Sequence, residues 1–202
     1  MSRVDPAATS ATNVRMALGL LFLVSCFNYM DRYMLAVLLP AIKRDLLLSD
    51  TQIGFITGLA FTLFYATLGI PIARLADRYS RRNIIAAALA VWSAMTAVCG
   101  LAQNFFQLAL ARVMVGVGEA GASPPSHSLI ADFFPAELRA RALSVFTLGA
   151  PVGILIALAG FLYLILIGDK NIRQLSQQEL PDFKSILLRC VNAVLLLALL
   201  IP

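Results

Sequence analysis

Charge is scarce in this chain. Asp, Glu, Lys and Arg make up 13% of its 202 residues, against roughly 25% in an ordinary globular protein. Histidine occurs once, tryptophan once and cysteine three times. With a single His and no clustered cysteines, a metal centre is excluded, and no glycine-rich phosphate loop is present. Cys26, Cys99 and Cys190 sit inside apolar runs without paired spacing. They read as small buried hydrophobes and not as a disulfide framework. The lone His127 follows Ser126 and is expected at a helix end or in a loop. Neighbours on one helix point in different directions, so this pair forms no nucleophile–base contact. Neither a catalytic residue nor a cofactor is expected, and the chain does not read as an enzyme.

What is abundant is apolar surface. Hydrophobic residues make up 60% of the chain and the mean hydropathy is +0.84. A soluble domain of this length cannot hide so much. Soluble enzyme, nucleic-acid binder and disordered tail are therefore excluded, although the net charge is +5. The reading is an all-α membrane protein with six spanning helices at about 20 residues each. Residues 1–15 read as a disordered cytoplasmic N-terminus. The expected spans are 16–39, closed by Pro40, then 52–73, 83–103, 105–131, 140–167 and 185–201. None alternates apolar and polar residues as a membrane barrel strand must. Arg3, Arg15, Arg74, Arg78, Arg81, Arg82, Arg139 and Arg141 fall on one side, and Lys43, Arg44, Lys170, Arg173 and Lys184 on the other. The positive-inside rule then puts the N-terminus in the cytoplasm.

Asp31, Arg32, Arg112 and Glu119 lie within these apolar runs. Each costs about 2.5–3.5 kcal/mol at a helix centre, so such residues face a polar pathway or pair with one another. Arg112 and Glu119 share a face of helix 4 but stand about 10 Å apart along it, at about 1.5 Å per residue. Each needs another partner, and Asp31 is a candidate for Arg112. Asn28 shares a face of helix 1 with Asp31. Arg32 is read either as part of this polar group or as facing the outer interface. A structural ion pair is the plain alternative to a transport pathway. A carboxyl able to stay charged beside a cation, or to take a proton without one, is suited to proton coupling.

Small residues provide close approaches between helices: Gly54 and Gly58 on helix 2, Gly116, Gly118 and Gly121 on helix 4, and Gly149 and Gly153 around Pro151 on helix 5. The stretch from Ala73 to Arg82, between helices 2 and 3, carries Asp77, Arg78, Arg81 and Arg82 in the order D-R-x-S-R-R.

That order resembles the G-x-x-x-D-R-x-G-R-R/K signature of the major facilitator superfamily, with Ala73 and Ser80 in the places of glycines. Arg112-x-x-x-Gly116-x-Gly118 and Gly149-x-Pro151-x-Gly153 add to it. The runs N-Y-M-D-R at 28–32, S-D-T-Q-I-G at 49–54 and G-V-G-E-A-G at 116–121 resemble the spinster-like branch. The resemblance covers about residues 16–160. It implies the N-terminal six-helix half of a twelve-helix fold built from 3+3 inverted repeats. Its members are lipid transporters in animals and proton-coupled exporters in bacteria. By the same resemblance, Asp31 and Glu119 handle protons, and Asn28, Asp31, Arg112 and Glu119 line the central cavity. Asp77, Arg78, Arg81 and Arg82 form the cytoplasmic gate. The implied partners are membrane lipids, protons, an amphipathic substrate such as a lysolipid or sphingoid-like lipid, and a second six-helix half from a homodimer or a missing C-terminal half. A bacterial inner or plasma membrane is the expected location. Residues 16–167 form the transporter bundle, and 168–202 are read as a divergent outer loop and a short, truncated helix 6. The alternative is a non-transporting remnant or partner of a full-length transporter.

Overall fold

A computed structural model describes residues 11–172 of the chain. The remainder of the expected outer loop, the expected span 185–201 and Cys190 lie outside the described residues. Every regular element among the described residues is helical. The order is α1 (Ala11–Asp45), α2 (Asp50–Gly54), a π-helical segment (Phe55–Leu59), α3 (Ala60–Arg78), α4 (Arg81–Leu101), α5 (Phe105–Ala120), α6 (Ser123–Phe133) and α7 (Ala136–Ile172). Among the described residues, five continuous stretches are long and apolar enough to cross a membrane: Asn13–Asp45, Asp50–Arg78, Arg81–Leu101, Phe105–Phe133 and Ala136–Gly160.

Several boundaries differ from expectation for local reasons. α1 begins at Ala11, so residues 11–15 are helical, and it runs through Pro40 to Asp45. Proline removes one helical hydrogen bond, a loss that membrane helices tolerate when neighbours re-satisfy the freed group. The carbonyl freed here is that of Ala36; separately, the Arg44 Nε donates to the Pro40 carbonyl at 3.3 Å. α1 ends instead at Leu47, whose φ of 52° is left-handed, while Leu48 N donates to Lys43 O at 3.0 Å. This is a Schellman-type stop, with buried Leu48 as its apolar anchor. Ser49 then opens α2 in a capping box: its hydroxyl accepts from Gln52 N at 3.2 Å and its own N–H donates to the Gln52 side chain at 2.9 Å.

The fourth span is two helices. Pro124 and Pro125 have no N–H to offer the carbonyls of Ala120 and Gly121, so the ladder breaks there and resumes as α6. α7 continues to Ile172, past the expected limit at 167. The supposed loop between spans 2 and 3 is almost absent. α3 extends to Arg78 and α4 starts at Arg81, which leaves Tyr79 and Ser80 as the connector.

α1 lies along α7, α4 along α5, and α3 also against α5. Glycines set the approach. A Cβ on Gly118 would stand 2.7 Å from the Trp92 Cβ, one on Gly121 2.8 Å from the Ala88 Cβ, and one on Gly149 2.6 Å from the Ser25 Cβ. Gly153 meets the backbone of Cys26. Pro151, between these last two, is exposed within α7. Gly54 and Gly58 differ from expectation: a Cβ at either would meet nothing within 4 Å. Their G-x-x-x-G spacing forms no helix–helix seam among the described residues, because both face outward around the π-helical segment. Cys26 and Cys99 are buried free thiols.

Candidate functional site

The charges inside the spans meet between α1 and α5. Asp31 and Arg32 are consecutive on α1; Arg112 and Glu119 lie two turns apart on α5. They pair across the helices. The Arg112 Nη1 stands 3.7 Å from the Asp31 Oδ2, and the Arg32 Nε donates to the Glu119 Oε2 at 2.6 Å. The side chains of Arg112 and Glu119 are 5% and 0% exposed. Pairs shielded to this degree are little screened by solvent. Arg32 therefore belongs to the polar interior and does not face an outer interface. Its side chain is 27% exposed.

Aromatic rings complete the group. Trp92 on α4 points its indole N–H at the Asp31 Oδ2, at 3.4 Å. The Arg32 guanidinium lies 5.5 Å from the Tyr29 ring centroid, 4.8 Å from Phe61 and 4.9 Å from Tyr65. Arg112 lies 5.4 Å from Phe61. All fall within the roughly 6 Å at which a cation is drawn to a ring face. Two buried polar atoms here lack a hydrogen-bond partner, the Arg112 Nε and the Glu119 Oε1. An unmet buried donor or acceptor costs about 1–3 kcal/mol and invites rearrangement.

Beside this group opens a cavity of about 190 Å³, walled by α1, α3, α6 and α7. Asn28, Tyr29 and Tyr65 line it, with Ser25, Ser123, His127 and Thr147 as further hydrogen-bonding groups and Val24, Phe146 and Ala150 as apolar wall. Of the residues expected to line a central cavity, Asn28 does so here, whereas Asp31, Arg112 and Glu119 are not among its lining residues. Tyr29 and Tyr65 join the two regions, since each lines the cavity and also meets Arg32. His127 is not at a helix end. It lies within α6, exposed, its ring edge-on to Phe146 at 5.1 Å.

At one end of the bundle lie Asp77 and Arg78, closing α3, and Arg81 and Arg82, opening α4. Arg81 forms an ion pair with Asp132 near the end of α6. Asp77, Arg78 and Arg82 are exposed. Arg139 donates to the Phe134 carbonyl at 3.0 Å, tying the α6–α7 corner.

Sequence reasoning missed Asp132, Phe61, Tyr65, Trp92 and the true place of His127. Mid-span Tyr65 and the single Trp carried a faint signal, since a polar tip in hydrocarbon seeks a partner. Phe61 carried none, being one apolar residue among many. Among the described residues no group of His, Cys, Asp and Glu could hold a metal ion.

Comparison with known proteins gives one family. Residues 21–200 match the Major Facilitator Superfamily, a longer stretch than the motifs themselves cover. An MFS-type efflux pump of Mycolicibacterium smegmatis is 44% identical over 144 residues, which is 71% of this chain and 34% of that protein. Protein spinster homolog 1 of Homo sapiens is 37% identical over 132 residues, 64% of this chain and 25% of that one. A crystal structure of a bacterial homolog to the human lysosomal transporter spinster, inward-facing and unoccupied, superposes with a TM-score of 0.81 at 34% identity. It covers 96% of this chain and 43% of that one. The chain thus spans a quarter to a third of these curated relatives and less than half of the solved structure.

Proposed function

This chain belongs to the major facilitator superfamily, and on that premise we propose that it is the N-terminal six-helix half of a proton-coupled secondary transporter that exports an amphipathic substrate. It is an integral, multi-pass membrane protein of spinster-like type. In the proposed reading its N-terminus faces the cytoplasm of a bacterium, and the Asp77–Arg82 corner is the cytoplasmic gate. The substrate is a lysolipid or sphingoid-like molecule with its polar head in the cavity at Asn28.

The observation that carries this reading is the pair of crossed ion pairs between α1 and α5. Four ionisable groups in an apolar bundle are costly, and a bundle needing only cohesion would do as well with apolar packing. Protonating Asp31 would neutralise it and loosen its hold on Arg112. Protonating Glu119 would do the same for Arg32. Each proton would thereby change which helices are tied together, as coupling to a conformational change requires. The cavity supports the substrate half of the reading. It offers several hydrogen-bonding side chains on an apolar wall, the usual make-up of a small-molecule site.

The test is flux. The chain is reconstituted in liposomes carrying a fluorescent lysolipid, and a pH gradient is imposed. Gradient-dependent movement is expected, and Asp31→Asn should move the lipid without responding to the gradient. Equal gradient response in the two proteins would remove Asp31 from the coupling. A second reading takes the buried ion pairs as structural only. In that reading the chain is a non-transporting partner or remnant of a full-length transporter. It predicts no flux from the chain alone and recovery of a twelve-helix relative after mild crosslinking.

A further inference from the structure

We propose that Phe61 is a positioning residue whose ring holds both guanidiniums of the site and keeps the Asp31–Arg112 and Arg32–Glu119 pairs separate. The inference deepens the coupling role proposed above and rests on it for its functional meaning, but its geometry stands alone.

Three observations converge. Phe61 is the one ring among the described residues that meets both cations, at 4.8 Å from Arg32 and 5.4 Å from Arg112. Next, it sits on Gly116. A Cβ on that glycine would stand 3.1 Å from the Phe61 carbonyl oxygen and 3.4 Å from its ring. Gly116 lies between Arg112 and Glu119 on α5, four residues after one and three before the other, so all three share one face. The missing side chain at Gly116 is therefore the seat of the ring. Finally, Phe61 is 8% exposed and stands in the first turn of α3, one residue beyond Ala60, which caps the π-helical segment Phe55–Leu59. An added residue in a helical turn re-aims the side chains that follow, and such turns recur at functional sites.

The consequence concerns partner choice. Without the ring, nothing would fill the α5 face between Arg112 and Glu119. A long guanidinium side chain could then bend along that face towards the acid on its own helix. With the ring in place, each α5 charge is offered to α1 instead. Phe61 belongs to α3, so withdrawal of α3 from α5 would remove the divider and let the pairs exchange. The groups around this junction that titrate or carry charge are Tyr29, Asp31 and Arg32 on α1, Tyr65 on α3, Cys99 on α4, and Arg112 and Glu119 on α5.

The test uses the full chain in lipid nanodiscs. Phenylalanines with one, two and three ring fluorines at position 61 keep the ring nearly constant in size and weaken its negative face stepwise. Thermal midpoints are expected to fall stepwise, and Phe61→Tyr to stay close to the parent. A flat series would overturn the ring as a cation partner, because a merely space-filling ring is indifferent to fluorination. The divider role is read from Trp92, the single tryptophan, whose indole meets Asp31. In the parent, Glu119→Gln should leave the pH dependence of Trp92 emission nearly unmoved. In Phe61→Leu the same Glu119→Gln change should shift it by about half a pH unit or more, the scale of one ring–cation contact. Equal responses to Glu119→Gln in the two backgrounds would overturn the divider. An emission insensitive to pH throughout would count against the divider too. A gradient response in Asp31→Asn equal to the parent's, together with a graded fluorine series, would instead leave Phe61 standing and place the failure in the coupling reading.

Discussion

At the scale of single residues, the site is decided by who compensates whom. Asp31 is 13% exposed in its side chain and Arg112 5%, so neither can turn to water if the other is lost. Breaking a buried pair from one side costs about 3–5 kcal/mol, because a charge is left without compensation. Arg112→Met should therefore destabilise the chain by an amount of that order, read as a fall in the thermal midpoint in a fixed detergent. Adding Asp31→Asn to it should recover part of the loss, since the orphaned charge is then gone. If the double variant is less stable than Arg112→Met, the two residues are not compensating one another. The charges themselves were legible in the sequence because each stands out in an apolar run. Their partners were legible only in part. Arg112 with Asp31 could be suggested, whereas Arg32 could as well have faced the outer interface, so its bond to Glu119 carried no mark in the sequence. Phe61 was not legible for a different reason. Its role comes from what it lies on, and an apolar residue in an apolar run carries no mark of that.

At the scale of elements, glycine has opposite meanings in different helices. Gly118 and Gly153 let α5 approach α4 and α7 approach α1 at backbone distance. Gly54 and Gly58 face open space. Spacing alone cannot separate the two cases, since a G-x-x-x-G pattern states that a face is small and not what it faces. Substitution separates them. Gly118→Ala puts a methyl 2.7 Å from the Trp92 backbone and Cβ, and overpacking of this kind costs about 1–3 kcal/mol. Gly54→Ala adds a methyl without a neighbour and removes glycine's entropic cost, a gain of up to about 0.5–1 kcal/mol. Thermal midpoints should thus move in opposite directions, and a fall of similar size in both would mean that Gly54 is packed after all. The five spans among the described residues were legible almost whole, because hydropathy over about 20 residues is a strong signal. Their ends were less so. Pro40 looked like a stop, yet the stop is the left-handed Leu47 with Leu48 behind it, and the corner at Tyr79–Ser80 is far tighter than its polar sequence implied.

At the scale of the whole molecule, the proposal depends on which way the bundle crosses the membrane. The arginine-rich end joins α3 to α4 and α6 to α7. The opposite end holds the α1–α2 turn, where Leu47 is 89% exposed, and the connection Ala102–Asn104. If the positive-inside bias governs, the first end is cytoplasmic and the second external. The bias is modest because Lys43, Arg44, Lys170, Arg173 and Lys184 stand on the far side, most of them in the last loop. Cysteine labelling decides the orientation. Cys26 and Cys99 are buried, which leaves Cys190 to be replaced by serine. In that background Leu47→Cys should react with a membrane-impermeant maleimide applied to intact cells or right-side-out vesicles. Ser80→Cys should react only in inverted vesicles or after permeabilisation. The reverse pattern would put the Asp77–Arg82 corner outside. A gate proposed to answer the cytoplasmic side would then have to be sought at the α1–α2 turn, and export would become import. Reaction of both positions from both sides would mean that the chain inserts in two orientations. In that case the crossed ion pairs could not impose a direction, and the partner reading, in which a longer relative fixes the orientation, would be the one to pursue.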